Sequence, residues 1–367
     1  MKLGVLVVSI ALLSVTQSGF TATGGSFKRF SVSAGWLHVM PQGKANPFNI
    51  NTAVQNGTSS TVGSISKDAF LNSIDPNATL GEGEFAFNLK DNFEMIMNEP
   101  SLYDLIFDAS GNIKQDLAGT ATVSGLEHWQ AQGTGLEAED VDTLGLTFNY
   151  YINDNVSLQM VGGIPPKVDI KGKGEIFAPL GGLAITGGDL LPGIEIPLLQ
   201  DIPITNLGVQ SKAATVRAWT PAFEAQYQFG KSGVNKFRPY IGAGIMYAYF
   251  NDIKLNSQIN TDLIAAGHMI QNVLDNKAGA ALDGKLSSGV MRVDVDADDA
   301  IAPIITAGFT YDFNENWYGV ASISYAKLSN EATINVVNET TGAELIHATT
   351  KIDIDPIITY LGVGYRF

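Results

Sequence analysis

The sequence predicts an all-β fold, an eight-stranded antiparallel transmembrane β-barrel with long extracellular loops. Three observations lead there. Hydrophobic residues make up 45% of the 367 positions, with a mean hydropathy of +0.10, yet after the N-terminus they form no run long enough for a membrane helix. They alternate with polar or small residues at a period of two, the strand period. Short and long connections between the alternating segments then follow one another in turn.

The N-terminus comes first. Lys2 precedes an apolar run from Leu3 to Val15, followed by small and polar residues. That pattern reads as a signal peptide over 1–22, with cleavage after Ser18 or Ala22; Thr16 and Phe20 are imperfect at the respective −3 positions. The run is short of the roughly 20 residues a spanning helix needs. Residues 23–367 then form a single barrel domain.

Strand one is read over Phe30–Met40. Leu144, Leu146, Phe148 and Tyr150 alternate with Thr143, Gly145, Thr147 and Asn149, and a third strand runs over Val156–Val168. Phe223, Ala225, Tyr227 and Phe229 alternate with Glu224, Gln226 and Gln228. From Phe237 to Tyr249, Ile241, Ala243, Ile245 and Tyr247 oppose Arg238, Tyr240, Gly242, Gly244 and Met246. Strand six sets Ile301, Ile305, Phe309, Tyr311 and Phe313 against Thr306, Gly308, Thr310 and Asp312; strand seven sets Trp317, Ile323 and Tyr325 against Ser322 and Ser324. The chain ends on Leu361, Val363, Tyr365 and Phe367 opposite Gly362, Gly364 and Arg366. Apolar-out, polar-in strands of this kind suit a lipid-embedded barrel.

Three connections are short and rich in turn residues: Asn153–Asn155, Gly230–Asn235 and Asn314–Asn316. The large insertions fall at about 41–140, 169–211 and 254–297, with a fourth connection at about Asn338–Leu345. Phe229, Phe237, Phe313, Trp317 and Phe367 sit beside the short turns, as an aromatic girdle would. Trp36, Trp219, Tyr247 and Tyr249 fit the opposite girdle. Inside the insertions, Lys67–Ile74 and Asn92–Phe107 have helical character, and repeated Ile-Pro and Leu-Pro steps around Gly187-Gly188 suggest an extended hairpin. Otherwise the loops read as an acidic, solvated surface.

Composition excludes several functions. A formal charge of −15 leaves no basic patch for nucleic acid. Zero cysteines exclude disulfide staples and thiol-bound metal. Asp294, Asp296 and Asp298, read as continuing the register of strand six, are weak candidates for a cation at the barrel mouth; the spacing of a Ca²⁺ loop is missing, and a plain acidic rim is the simpler reading. Of the four histidines, His38 and His347 fall near the outer rim and His128 and His268 in loops, and no Ser-His spacing on one strand face stands out, so no enzymatic activity, catalytic residue or cofactor is expected.

Several segments together resemble the OmpW family: Phe30–Pro41, Gly145–Asn155, Pro221–Gly230, Lys236-Phe-Arg-Pro-Tyr-Ile-Gly-Ala-Gly-Ile245, Asp355-Pro356 and Gly362–Phe367. They cover roughly 150 residues in family order; the first connection, at about 100 residues, is far longer than is usual there. The resemblance implies an outer-membrane barrel with a narrow, partly hydrophobic lumen closed toward the periplasm and suited to small apolar molecules. Eight strands leave room for side chains or one small ligand, whereas a general porin needs about sixteen. The candidate lumen residues are Tyr240, Met246, Ile304, Ile358 and Tyr360, bulky side chains among Gly, Ser and Thr. Pro165, Pro166 and Pro221 lie in adjacent strands and cannot donate to the ladder, which makes them candidates for a lateral opening into the outer leaflet; ends of strands or bulges are the plainer explanation. Expected partners are outer-membrane lipid and lipopolysaccharide, a small hydrophobic ligand, and the barrel-assembly machinery through Phe367. The alternative function is a surface or adhesive barrel whose loops bind an external partner.

Overall fold

A computed structural model describes residues 27–81, 86–190 and 192–367; the expected signal peptide and its cleavage sites fall outside them. The barrel is built from β1 (Phe30–Met40), β2 (Val141–Tyr151), β3 (Val156–Gly163), β4 (Ala222–Gln228), β5 (Phe237–Leu255), β6 (Ala300–Asp312), β7 (Trp317–Ala326) and β8 (Ile357–Arg366). Each pairs antiparallel with its neighbours in sequence, and β1 also pairs with β8 from Ser31–Arg366 to Met40–Ile357, closing the ring. Closure satisfies backbone groups that lipid could not.

The alternation dictates which face is which. Leu144, Leu146, Ile241, Ile245, Ile305, Ile323, Leu361 and Val363 are all exposed on the outside, while Ser33, Thr147, Gln159, Glu224, Thr306 and Arg366 are buried within. A soluble protein would not expose so large a contiguous apolar surface; a bilayer covers it. The span from Phe237 to Tyr249 rises about 40 Å along the strand, or about 28 Å once tilted by about 45°, close to the hydrocarbon thickness of a bilayer. Both predicted girdles are exposed: Phe229, Phe237, Phe313, Trp317 and Phe367 at the turn end, Trp36, Trp219, Tyr247 and Tyr249 at the loop end.

Inward glycines make room for inward tyrosines. A Cβ on Gly308 would lie 2.7 Å from the Tyr240 ring, one on Gly362 2.6 Å from the Tyr360 hydroxyl, and one on Gly364 inside the Tyr318 ring.

The connections at the loop end depart from a solvated surface. They fold into a cap built on two larger sheets, with an apolar core continuous with the upper lumen. One sheet joins Thr58–Thr61, Thr120–Ser124, Glu175–Ile185 and Glu195–Asn206, so the expected hairpin is present as its outer pair. The other joins Met291–Ala297, Ser329–Asn338, Ala343–Asp353, Phe48–Thr52 and His128–Ala131. A helix over Ser257–Leu274, capped by the Asn256 side chain accepting from the Gln258 N–H, packs on strands of both sheets. It buries Ile259, Leu263, Ala266, Met269, Ile270 and Val273, the one-sided spacing of an amphipathic helix. It is the longest helix among the described residues, and none of these is long and apolar enough to cross a membrane. The two helical segments read from sequence are present as Lys67–Ser73 and as Leu89–Met97 followed by shorter turns to Ile106. Phe48, Ile65, Ile74, Leu126, Ile196, Ile270, Val336 and Leu345 are at most 4% exposed and join the same apolar cluster as Met246 and Ile304 in the barrel.

Three expectations change. Strand three stops at Gly163 instead of running through Pro165 and Pro166 to Val168; Lys167–Lys173 is a separate strand of the cap-side wall. The fourth connection spans 327–356, since Ser329–Asn338 and Ala343–Asp353 form a hairpin of the cap instead of extending β7 and β8. The segment Val293–Asp298 pairs with Ala332–Val336, not in register with β6. Val293 and Val295 therefore turn to the core, and Asp294, Asp296 and Asp298 do not point together into the mouth: Asp294 pairs with Arg292, Asp296 and Asp298 are exposed, and no metal-holding cluster exists among the described residues.

Candidate functional site: the barrel lumen and its wall

A cavity of about 160 Å³ occupies the upper lumen and continues into the base of the cap. All five residues chosen from sequence line it: Tyr240, Met246, Ile304 and Tyr360 are buried, and Ile358 is partly buried. Leu37, Val161, Ala222 and Leu328 complete an apolar collar, and Phe48, Leu136, Ile170, Leu207, Ile259 and Ile334 carry it up into the cap. At its closed end the wall turns polar. Ser33 hydroxyl hydrogen-bonds Thr147 at 2.7 Å and Tyr360 at 2.8 Å; Thr306 hydrogen-bonds Ser324 at 2.7 Å and donates to Glu224 Oε1 at 2.9 Å; Gln226 Nε2 donates to Gln159 Oε1 at 2.7 Å.

Below this floor the lumen is plugged. Arg238, 2% exposed, donates through Nε to the Phe229 carbonyl at 3.3 Å and through an η nitrogen to the Gly230 carbonyl at 3.4 Å, with the Asp154 carboxylate at 3.7 Å. Arg366 binds Asp312 Oδ1 at 2.6 Å and lies 4.3 Å over the Tyr318 ring, whose hydroxyl donates to Ser31 at 3.0 Å. Paired, hydrogen-bonded charges in a narrow lumen are costly to pull apart, so the turn end is shut.

The prolines sit at a break in the wall. The β3–β4 ladder has its last pair at Val161–Ala222 and resumes above with the Ala218 N–H donating to the Pro166 carbonyl at 3.1 Å and the Lys167–Arg217 pair. Between them, residues 162–165 and 219–221 face each other without ladder pairs. Pro165 and Pro166 have no N–H to offer, and neither does Pro221. On their far sides both strands remain tied: the Ile164 N–H donates to the Leu144 carbonyl at 3.1 Å, and the Tyr247 N–H to the Pro221 carbonyl at 2.9 Å. The break is thus local to the β3–β4 seam. Val161, Pro166, Ala218 and Thr220 flank it and also line the cavity; Thr220 is exposed as well. Trp219, beside it, belongs to the loop-end girdle.

The histidines are tied up elsewhere. His38 Nδ1 lies 2.8 Å from Asp142 at the rim, His128 and His347 bond Asn51 and Asn335, and His268 Nδ1 lies 2.9 Å from the Ser287 hydroxyl. That last pair resembles a nucleophile and its base, but the same nitrogen accepts the Ser287 backbone N–H at 3.1 Å, which makes it a structural acceptor. Sequence reasoning placed Glu224, Gln226 and Thr306 on the inward face without assigning them to a site; only their convergence in space marks them.

A closed eight-stranded ring with a lipid-facing apolar belt, two aromatic girdles and a lumen plugged at one end defines an outer-membrane β-barrel. The OmpW family profile matches residues 109–283 and 279–367, and the chain belongs to the OmpW family. It is similar to Outer membrane protein W of Vibrio cholerae serotype O1, 25% identical over 224 residues that cover 61% of this chain and 73% of that protein. It is similar also to the dibenzothiophene metabolism operon protein PahQ of Pseudomonas aeruginosa, 22% identical over 235 residues, 64% of this chain and 76% of that protein. Among solved structures it aligns with the outer membrane protein OprG of Pseudomonas aeruginosa over 93% of this chain and 96% of that one, at 16% identity and a TM-score of 0.45.

Proposed function

We propose that the barrel admits a small hydrophobic molecule through the cap, which faces outward from the cell, and releases it sideways through the β3–β4 break into the outer leaflet. One observation carries this reading: the apolar cavity is shut toward the turns by the Arg238 and Arg366 plug, while its wall includes the residues that flank the break. A hydrophobic solute gains by leaving into lipid, about 25 cal/mol for each Å² kept from water, and has no such gain in crossing the plug. The collar of Met246, Ile304 and Ile358 favours an apolar solute over ions. The similar protein PahQ is named for an operon of dibenzothiophene metabolism, and dibenzothiophene is itself a small apolar molecule.

The test is uptake of a labelled apolar solute by cells carrying variants that still show heat-modifiable migration. Thr220→Trp and Ala218→Trp, which narrow the break, should cut uptake severalfold, as should Met246→Asp or Ile358→Asp in the collar. Wild-type uptake by folded Thr220→Trp and Ala218→Trp would exclude the lateral route; wild-type uptake by the collar variants would exclude the lumen.

A surface-binding barrel is the second reading, favoured by the exposed apolar side chains Leu80, Phe87, Met95, Tyr103 and Leu105 on the cap. In that case deletion of the protein leaves apolar uptake unchanged.

A further inference from the structure

The closed end of the cavity holds a carboxyl group that the transport route alone does not require. Glu224 is 4% exposed and lines the cavity floor. Its Oε1 accepts from Thr306 at 2.9 Å, but its Oε2 has no hydrogen-bond partner, and among the described residues no lysine, arginine or histidine forms an ion pair with it. Gln226 Nε2 gives a hydrogen to Gln159, and the Ser324 hydroxyl is hydrogen-bonded to Thr306. Gly242 keeps the space beside Oε2 open, since a Cβ there would come within 2.7 Å of it. A buried carboxyl oxygen left without a donor is costly. Above this polar floor the wall is apolar, from Val161, Ala222, Met246 and Ile304 upward.

We propose that Glu224 is a head-group site, and that the preferred ligand is an apolar molecule carrying one hydrogen-bond donor such as a hydroxyl. The apolar body fills the collar and the donor completes the coordination of Glu224. This rests on the transport reading of the lumen and adds to it a chemical class: an amphiphile with a donor head is held over a pure hydrocarbon or an ether of the same size. The geometry also sets the polarity of entry, head first toward the plug, with the tail left at the height of the β3–β4 break.

The experiment uses 1-octanol and its methyl ether, which share the chain and differ in the donor. Binding is measured to the full chain in nanodiscs, relative to empty nanodiscs, for wild type, Glu224→Gln and Glu224→Leu, each checked for heat-modifiable migration. Wild type should hold the alcohol about tenfold over the ether after correction for lipid partition, the ratio expected for one good buried hydrogen bond. Glu224→Leu should bind both compounds equally, and Glu224→Gln, which keeps an acceptor oxygen and the side-chain shape, should retain a reduced preference. Equal binding of the two compounds by wild type, or an undiminished preference in folded Glu224→Leu, overturns the head-group site while leaving the apolar lumen standing. Failure of wild type to bind either compound above empty nanodiscs overturns both.

Discussion

Phe30 and Phe367 close the barrel on each other. The Phe367 N–H donates to the Phe30 carbonyl at 3.0 Å, the Phe30 N–H to the Phe367 carbonyl at 3.4 Å, and their rings stack with centroids 6.0 Å apart at 17°. The first and last residues of the ring thus form its final pair, at the turn-end girdle. Deleting Phe367 or changing it to Asp should lower the yield of folded, heat-modifiable barrel, because the seam loses two backbone bonds or gains a charge at the lipid surface. An unchanged yield would show that the seam closes without this pair.

The inward tyrosines depend on the glycines they cover. Gly364→Val would force Tyr318 off Ser31 and out from under Arg366, an overpacking of the kind that costs about 1–3 kcal/mol. The urea midpoint of the folded barrel should fall accordingly. A midpoint equal to wild type would mean that the plug tolerates a displaced Tyr318.

Orientation can be read by proteolysis of intact cells. With the cap outside, protease should cut at 187–190, where Leu190 is exposed, and spare Gly230–Asn235, whose Asn235 side chain accepts from the Lys231 N–H at 2.9 Å. Cutting at 230–235 before 187–190 would invert the assigned topology.

Acid should loosen the cap through His268. Burial holds its imidazole below the ordinary histidine value, so the neutral form is the one the fold selects, and Nδ1 in that form accepts the Ser287 N–H. A depressed histidine contributes stability above its unfolded value of about 6.5; the contribution is lost as pH falls through and below that value. The cap should therefore melt at lower temperature at pH 5.5 than at pH 7.5, and His268→Asn, which keeps an acceptor at a similar position, should show a smaller difference. Asp353, held below the usual carboxylate range by the Asn46 amide, loses its contribution only at more acid pH and does not enter this window. An identical pH dependence in His268→Asn would assign the effect to other groups.

Much of the barrel was legible because its period is two and each strand has one lipid face: a slip of one residue would send Leu361 and Val363 inward and Arg366 into lipid, so the order of residues alone decides which face each takes. The same alternation put Tyr240, Met246, Ile304, Ile358 and Tyr360 inside. It failed where the pairing partner is remote. Asn49 pairs with Thr349 and with Gln130, contacts whose sequence separation no local pattern reports, so a folded cap reads from sequence as solvated loop. Val293–Asp298 alternates as a strand, but its neighbour is Ala332–Val336 and not β6, a remote pairing that the local pattern of three aspartates does not report.

By itself, then, the sequence determined the class of fold, the two faces of every barrel strand, the girdles and the short turns, all of which follow from one-dimensional periodicity in a two-phase solvent. The tertiary structure decided the rest: the plug, which requires Arg238 and Arg366 to meet carbonyls and carboxylates from other strands; the wall break, which arises because the pairing that ends at Val161–Ala222 resumes only at Lys167–Arg217; and the unpartnered oxygen of Glu224. That last property is a sum over what β3, β5, β6 and β7 bring to one point, and only closure of the ring brings them together.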